Sequence, residues 1–126
     1  MYRQLTDQAE NYIRSLYKQD DIACELKRKL ADLMARGEAN ADAAGRALKL
    51  SRRTLQRRLK AEKTSFQKVL QEVRAVLAVS YLSDERLKSL EIAMLLGYSN
   101  ISTFTTAFKS WYDMPPATYR QKILGV

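Results

Sequence analysis

An all-α fold, two helix-turn-helix units joined by one long central helix, is what this 126-residue sequence predicts. Three observations predict it. Apolar residues recur at helical spacing almost throughout, and strand patterning is weak. Only four Gly and two Pro interrupt a chain of 46% hydrophobic residues, too few breakers for a loop-rich or disordered protein. The chain also repeats itself. Leu48, Leu50, Ser51, Leu55, Leu59 and Lys60 are echoed 48 or 49 residues later by Leu96, Tyr98, Ser99, Phe104, Phe108 and Lys109. Each copy reads as a short helix, a tight turn and a second, Ser-led helix, the helix-turn-helix pattern.

In chain order, Leu5, Ala9, Tyr12, Ile13, Leu16 and Tyr17 make a helical stripe over about 3–18, broken by Gln19–Asp20–Asp21. Either Asp can cap the next helix, whose stripe is Ile22, Leu26, Leu30, Leu33 and Met34 and whose stop is Gly37. A short helix over about 41–48 follows, with Asn40 as its cap, and Ser51 caps a helix over 52–62. Thr64 and Gln67 have capping-box spacing and open a helix over 65–82, about 27 Å long at ~1.5 Å per residue. Phe66, Val69, Leu70, Val73, Val76, Leu77 and Tyr81 are its apolar positions. Ser89 caps a short helix ending at Gly97, and Ser99 or Asn100 caps another over 101–112. Pro115 and Pro116 end that one, and a turn around Tyr119 closes the chain. The organisation expected is therefore an N-terminal segment 1–21, a first unit 22–64, a connecting helix 65–82 and a second unit 83–126.

The net charge of +8 is concentrated. Residues 1–45 hold seven basic and eight acidic groups, residues 83–126 hold five and four, and residues 46–82 hold ten and two. A field confined to 37 residues suits a polyanion or an anionic surface. The chain has no His and one Cys, Cys24, which sits in an apolar helical pattern and reads as a small core residue. No catalytic set, metal site, cofactor loop or disulfide is assembled from this inventory, so an enzyme has no support. No apolar run reaches 18 residues and the first ten residues lack a signal-peptide core. The expected compartment is the cytoplasm.

The densest part of the basic window is "LKLSRRTLQRRLKAE", residues 48–62. Leu55 and Leu59 fix its buried side, and Arg53, Gln56, Arg57 and Lys60 follow i, i+3, i+4, i+7 spacing as a second stripe. Gln pairs bidentately with an adenine edge and Arg with guanine. Arg52, Arg58 and Lys63 flank the stripe as phosphate contacts, and the helix start behind Ser51 offers free amides to a phosphate. A solvated cationic face is the bland alternative, but only Glu62 offsets six cations over 52–63. Membrane docking lacks an aromatic or leucine insertion face. In the second unit Phe104, Phe108 and Trp111 read as core. Ser102, Thr105, Thr106 and Lys109 lie opposite, with Asn100 and Lys109 suited to phosphate. The two units are alike in shape and unequal in chemistry.

The segments "LSRRTLQRRLKAEKTSFQKVLQEVR" and "SLEIAMLLGYSNISTFTTAFKSWYDMPPATYR" resemble the DNA-binding domain of the AraC/XylS family of bacterial transcription regulators, over residues 22–122. The resemblance implies a seven-helix, homeodomain-like pair whose recognition helices enter successive major-groove faces of double-stranded promoter DNA. It places Arg53, Gln56, Arg57 and Lys60 at the reading positions of the first recognition helix, and Ile101, Ser102, Thr105 and Thr106 at those of the second. It also implies activation through RNA polymerase and an effector sensed by a separate N-terminal domain. Residues 1–21 would then end a linker or the last helix of that domain, the alternative being a natural stand-alone activator. Thr106 and Ser110 stand where the family often has Arg, and Asp113 where Gly is common, so most direct readout falls to the first unit. Gly45 replaces a usual Ala, at up to ~1 kcal/mol of helix propensity, and Lys49 a frequent turn Gly, which predicts mild positive-φ strain there. An architectural protein that binds nucleic acid without sequence preference is the competing function. It predicts a steep salt slope and almost no difference between sites.

Overall fold

The structure, a computed structural model, describes residues 21–125, so the helix expected over 3–18 lies outside the described residues. The described residues form seven helices and no strand: α1 (Ile22–Ala35), α2 (Ala41–Ala47), α3 (Arg52–Ala61), α4 (Phe66–Leu82), α5 (Ser89–Leu95), α6 (Ile101–Tyr112) and α7 (Pro116–Leu124). The chain divides into two compact units, with the boundary between Val73 and Arg74 inside α4.

In the first unit the whole expected stripe of α1 is buried, together with Ala23 and the fully enclosed Cys24. The start of α1 departs from expectation. Asp21 occupies the cap position without making a side-chain cap bond. Its role is taken by Glu62, whose carboxylate accepts from the Ile22 amide at 2.8 Å and the Ala23 amide at 3.1 Å. First-turn amides have no acceptor in their own helix, and a carboxylate placed there also meets the positive end of the helix dipole. α1 stops at Gly37 (φ +73°), where the Glu38 amide reaches back to Leu33 O and the Gly37 amide to Met34 O.

The same stop closes α2 and α3 without glycine. After α2 the Leu50 amide bonds to Gly45 O while Lys49 takes φ 61°, and after α3 the Thr64 amide bonds to Leu59 O while Lys63 takes φ 61°. Lys49 thus has the left-handed backbone its position predicted, and Lys63 shares it. Asn40 and Ser51 cap α2 and α3 as expected, accepting from Ala43 N (2.8 Å) and Thr54 N (3.1 Å). α4 starts one residue later than Thr64 would place it. Thr64 is engaged in the stop after α3, and Ser65 Oγ instead accepts from the Lys68 amide at 3.2 Å. Lys27 Nζ, on α1, pairs with Glu72 at 3.0 Å.

Gly45 also departs from the expectation that it merely weakens a helix. A Cβ built there would lie 2.7 Å from Leu50 O and 3.4 Å from Arg52 N. The turn between α2 and α3 crosses directly over this glycine.

In the second unit the buried set of α4 moves round the helix, from the Val73 side to Arg74, Leu77, Ala78, Tyr81 and Leu82. Val76, expected in the core, is consequently exposed. Arg74 is structural: its Nε donates to Leu96 O at 2.8 Å and its guanidinium lies 4.3 Å above the Tyr98 ring centroid. Burial pushes the Tyr98 phenol above its usual pKa, and the nearby Arg74 charge pulls against that. Arg120 satisfies carbonyls beyond the end of α4, donating to Leu82 O and Asp84 O. Arg86 forks onto the Asp84 carboxylate and, chiefly through that hydrogen bond, holds it below the usual carboxylate range.

Ser89 is the first helical residue of α5 and not its cap; the Glu91 carboxylate accepts from the Lys88 amide at that end. Phe104 and Phe108 are fully buried, whereas Trp111 is only partly so, a correction to its expected core place. The closing turn around Tyr119 is a nine-residue helix begun by Pro116, whose missing N–H costs nothing at a first helical position. Tyr119 packs on Phe108 and Tyr112, and Tyr112 Oη donates to Ala75 O at 2.7 Å.

Candidate nucleic-acid interface

α3 is built as two faces. Leu55 and Leu59 have no solvent exposure, while Arg53, Gln56, Arg57 and Lys60 are all exposed. At ~100° per residue the four exposed side chains span an arc of ~100°, with Arg52 about 40° beyond one border and Arg58 about 100° beyond the other. The buried leucines hold this face in place, since Leu→Ala at fully buried sites costs ~2–5 kcal/mol. Ser51 Oγ is engaged with Thr54, through both its amide and its hydroxyl. A phosphate at this end would therefore meet the first-turn amides more readily than the Ser51 hydroxyl.

The charge of this face is left largely unneutralised. Both acids of the 46–82 window are engaged elsewhere, Glu62 by the amides of α1 and Glu72 by Lys27. Arg52 is the exception, with Nη1 3.7 Å from Asp42 Oδ2. Arg52, Gln56 and Lys60 share one groove of about 540 Å³ with Asn40, Asp42 and Gln67. Arg53 and Arg57 lie outside that groove lining. Lys63 lines a second cleft of about 350 Å³ with Lys27, Glu62, Lys68 and Glu72.

In the second unit Asn100, not Ser99, caps α6, accepting from Thr103 N at 2.8 Å and from the Thr103 hydroxyl at 2.9 Å. Ser102, Thr106 and Lys109 are exposed, and Ile101 presents an apolar side chain that is 42% exposed. Thr105 is half-buried, the least accessible of the expected reading residues. Asp113 takes φ 62°, the left-handed conformation the usual Gly would adopt freely. Ser110 Oγ turns back to Ala107 O. No arginine lies on α6, so the inequality of the two faces is one of side-chain chemistry.

Two roles have no counterpart in the sequence pattern, that of Asp42 in the groove and that of Glu62 as a cap for α1. Asp42 in the groove could have been found from the Asn40 cap, which fixes Asp42 in the first turn of α2. Glu62 as a distant cap has no local signal, because its partners are some 40 residues away.

Among the described residues no helix is long and apolar enough to cross a membrane. A family model described as a helix-turn-helix domain matches residues 44–122, from within α2 to within α7. The chain belongs to the AraC/XylS family. The matched region is the sequence-specific DNA-binding domain of these transcription regulators. The ornithine utilization regulator of Pseudomonas aeruginosa is 36% identical over 115 residues, 90% of this AraC/XylS chain and 33% of the regulator. This chain thus spans about a third of that relative's length. The P. aeruginosa transcriptional regulator CdpR is 35% identical with a TM-score of 0.62, over 76% of this chain and 31% of CdpR. A DNA-binding transcriptional dual regulator of Escherichia coli K-12 shares the fold at a TM-score of 0.79 and 22% identity, over 87% of this chain and 98% of that one.

Proposed function

We propose that this domain reads double-stranded promoter DNA mainly through α3, with Arg53, Gln56, Arg57 and Lys60 directed at base edges in a major groove. The observation that carries the reading is the division of α3 into two enclosed leucines and four exposed polar side chains able to span adjacent bases. α6 follows with weaker readout: hydroxyls from Ser102, Thr105 and Thr106, and an apolar contact from Ile101 suited to a thymine methyl. Arg52, Arg58, Lys63, Asn100 and Lys109, together with the first-turn amides behind Ser51, flank the two helices as phosphate contacts that set register. The domain boundaries that go with this reading are a first unit over 22–64, a connecting helix over 65–82 and a second unit over 83–126. In the complete regulator, working in the bacterial cytoplasm, RNA polymerase is the protein partner. An effector is sensed by a separate domain, leaving these helices to DNA.

Selection of bound sites from a random DNA pool at physiological salt tests the proposal. A defined consensus should emerge, and Arg57→Ala should then lose ~1–3 kcal/mol on that site and relax preference at one position. Thr106→Ala should lose much less. An equal loss for Arg57→Ala on scrambled DNA would reduce Arg57 to a phosphate contact. A large, sequence-selective loss for Thr106→Ala would overturn the inequality of the two helices.

A further inference from the structure

One charge in the first unit runs against the rest. Among the described lining residues of the groove that holds Arg52, Gln56 and Lys60, Asp42 is the single carboxylate. It stands 3.7 Å from the Arg52 guanidinium, and both side chains are 59% exposed. A phosphate entering this groove meets an anion, and it finds Arg52 already facing a carboxylate. The opposite arrangement would bind DNA more strongly.

We propose that Asp42 is a specificity-determining residue: by holding Arg52 and opposing phosphate, it suppresses docking on DNA of arbitrary sequence. The inference rests on the DNA-reading function proposed for α3. A complex without base contacts is made of phosphate contacts alone, and it can shift register until every free cation is used. Arg52 withheld by Asp42 removes one such cation from that count. A complex locked by Arg53, Gln56 and Arg57 on its own site has a fixed register, in which Arg52 can meet only the one phosphate its position allows, so it gains less when Arg52 is released. Asp42 therefore weakens the unwanted complexes more than the wanted one. This is discrimination by a repulsive element rather than by an added contact.

The test compares wild type, Asp42→Asn, Asp42→Ser, Arg52→Gln and the Asp42→Asn/Arg52→Gln double variant on two probes. One probe is a random-sequence duplex, the other a site recovered by selection. Both Asp42 variants should bind the random duplex more tightly, with a salt slope steeper by about 0.9, so that affinity falls about 3-fold further than for wild type between 50 and 200 mM salt. Affinity for the selected site should rise less, lowering the specificity ratio. The double variant should lose the gain. A destabilised protein cannot produce tighter binding, so the direction of the change separates this role from a structural one. An unchanged slope and ratio in both Asp42 variants overturns the inference, as does a gain that survives in the double variant. If wild type binds no duplex, the reading of α3 fails first, and the inference falls with it.

Discussion

Glu62→Gln isolates the bond between the end of α3 and the start of α1. The wild-type carboxylate accepts from two backbone amides, at 2.8 and 3.1 Å. Gln has one acceptor oxygen in place of two and carries no charge, so one bond is lost and the other becomes a neutral one. A helix cap contributes ~0.5–2 kcal/mol, and an anion at a helix N-terminus a further ~0.3–1 kcal/mol. Glu62 is largely exposed, which places the expected cost in the lower half of that sum, ~1–2 kcal/mol. For a domain of this order that corresponds to a fall of roughly 5–10 °C in Tm. Thermal unfolding followed by circular dichroism measures it, with urea unfolding as a check at constant temperature. A Glu62→Gln melt indistinguishable from wild type would mean that solvent serves the Ile22 and Ala23 amides equally well, and the cap assignment would be wrong.

Two further substitutions separate backbone effects from propensity. Gly45→Ala would gain up to ~1 kcal/mol on helix propensity alone. The 2.7 Å approach of its new Cβ to Leu50 O should reverse the sign and cost ~1–3 kcal/mol in denaturant unfolding; a more stable variant would refute the close approach. Lys49→Gly should stabilise by ~1 kcal/mol, because a β-carbon at positive φ is strained. A loss of stability in the same unfolding experiment would show that the lysine side chain contributes more than its backbone costs.

The helices and most of the core were legible because periodicity is a local property: Leu55 and Leu59 announce a buried face within one turn of each other. The caps Asn40, Ser51 and Asn100 were legible for the same reason. What escaped depends on partners distant in sequence or on competing local roles. Thr64 has capping-box spacing but is occupied by the preceding stop, so the cap passes to Ser65. Val76 continues an apolar stripe that the core follows only as far as Val73. Gly45 looked like a weak helix residue until the chain crossing over it was visible. In the candidate interface, the outward stripe of α3 was readable from spacing. Asp42 was not, because its importance arises only where α2 and α3 face a common groove.

The uneven placement of aromatic residues gives the two units different optical signatures. Trp111 is the only tryptophan, and residues 21–73 contain neither Trp nor Tyr. Trp111 is partly exposed, with its ring centroid 6.3 Å from that of Phe108, inside the aromatic cluster of the second unit. Indole emission therefore reports on α6 and its surroundings, while circular dichroism registers helix in both units. A substitution in the first unit such as Glu62→Gln can thus be followed by two probes at once, and any separation between their transitions measures how far one half of the domain melts without the other.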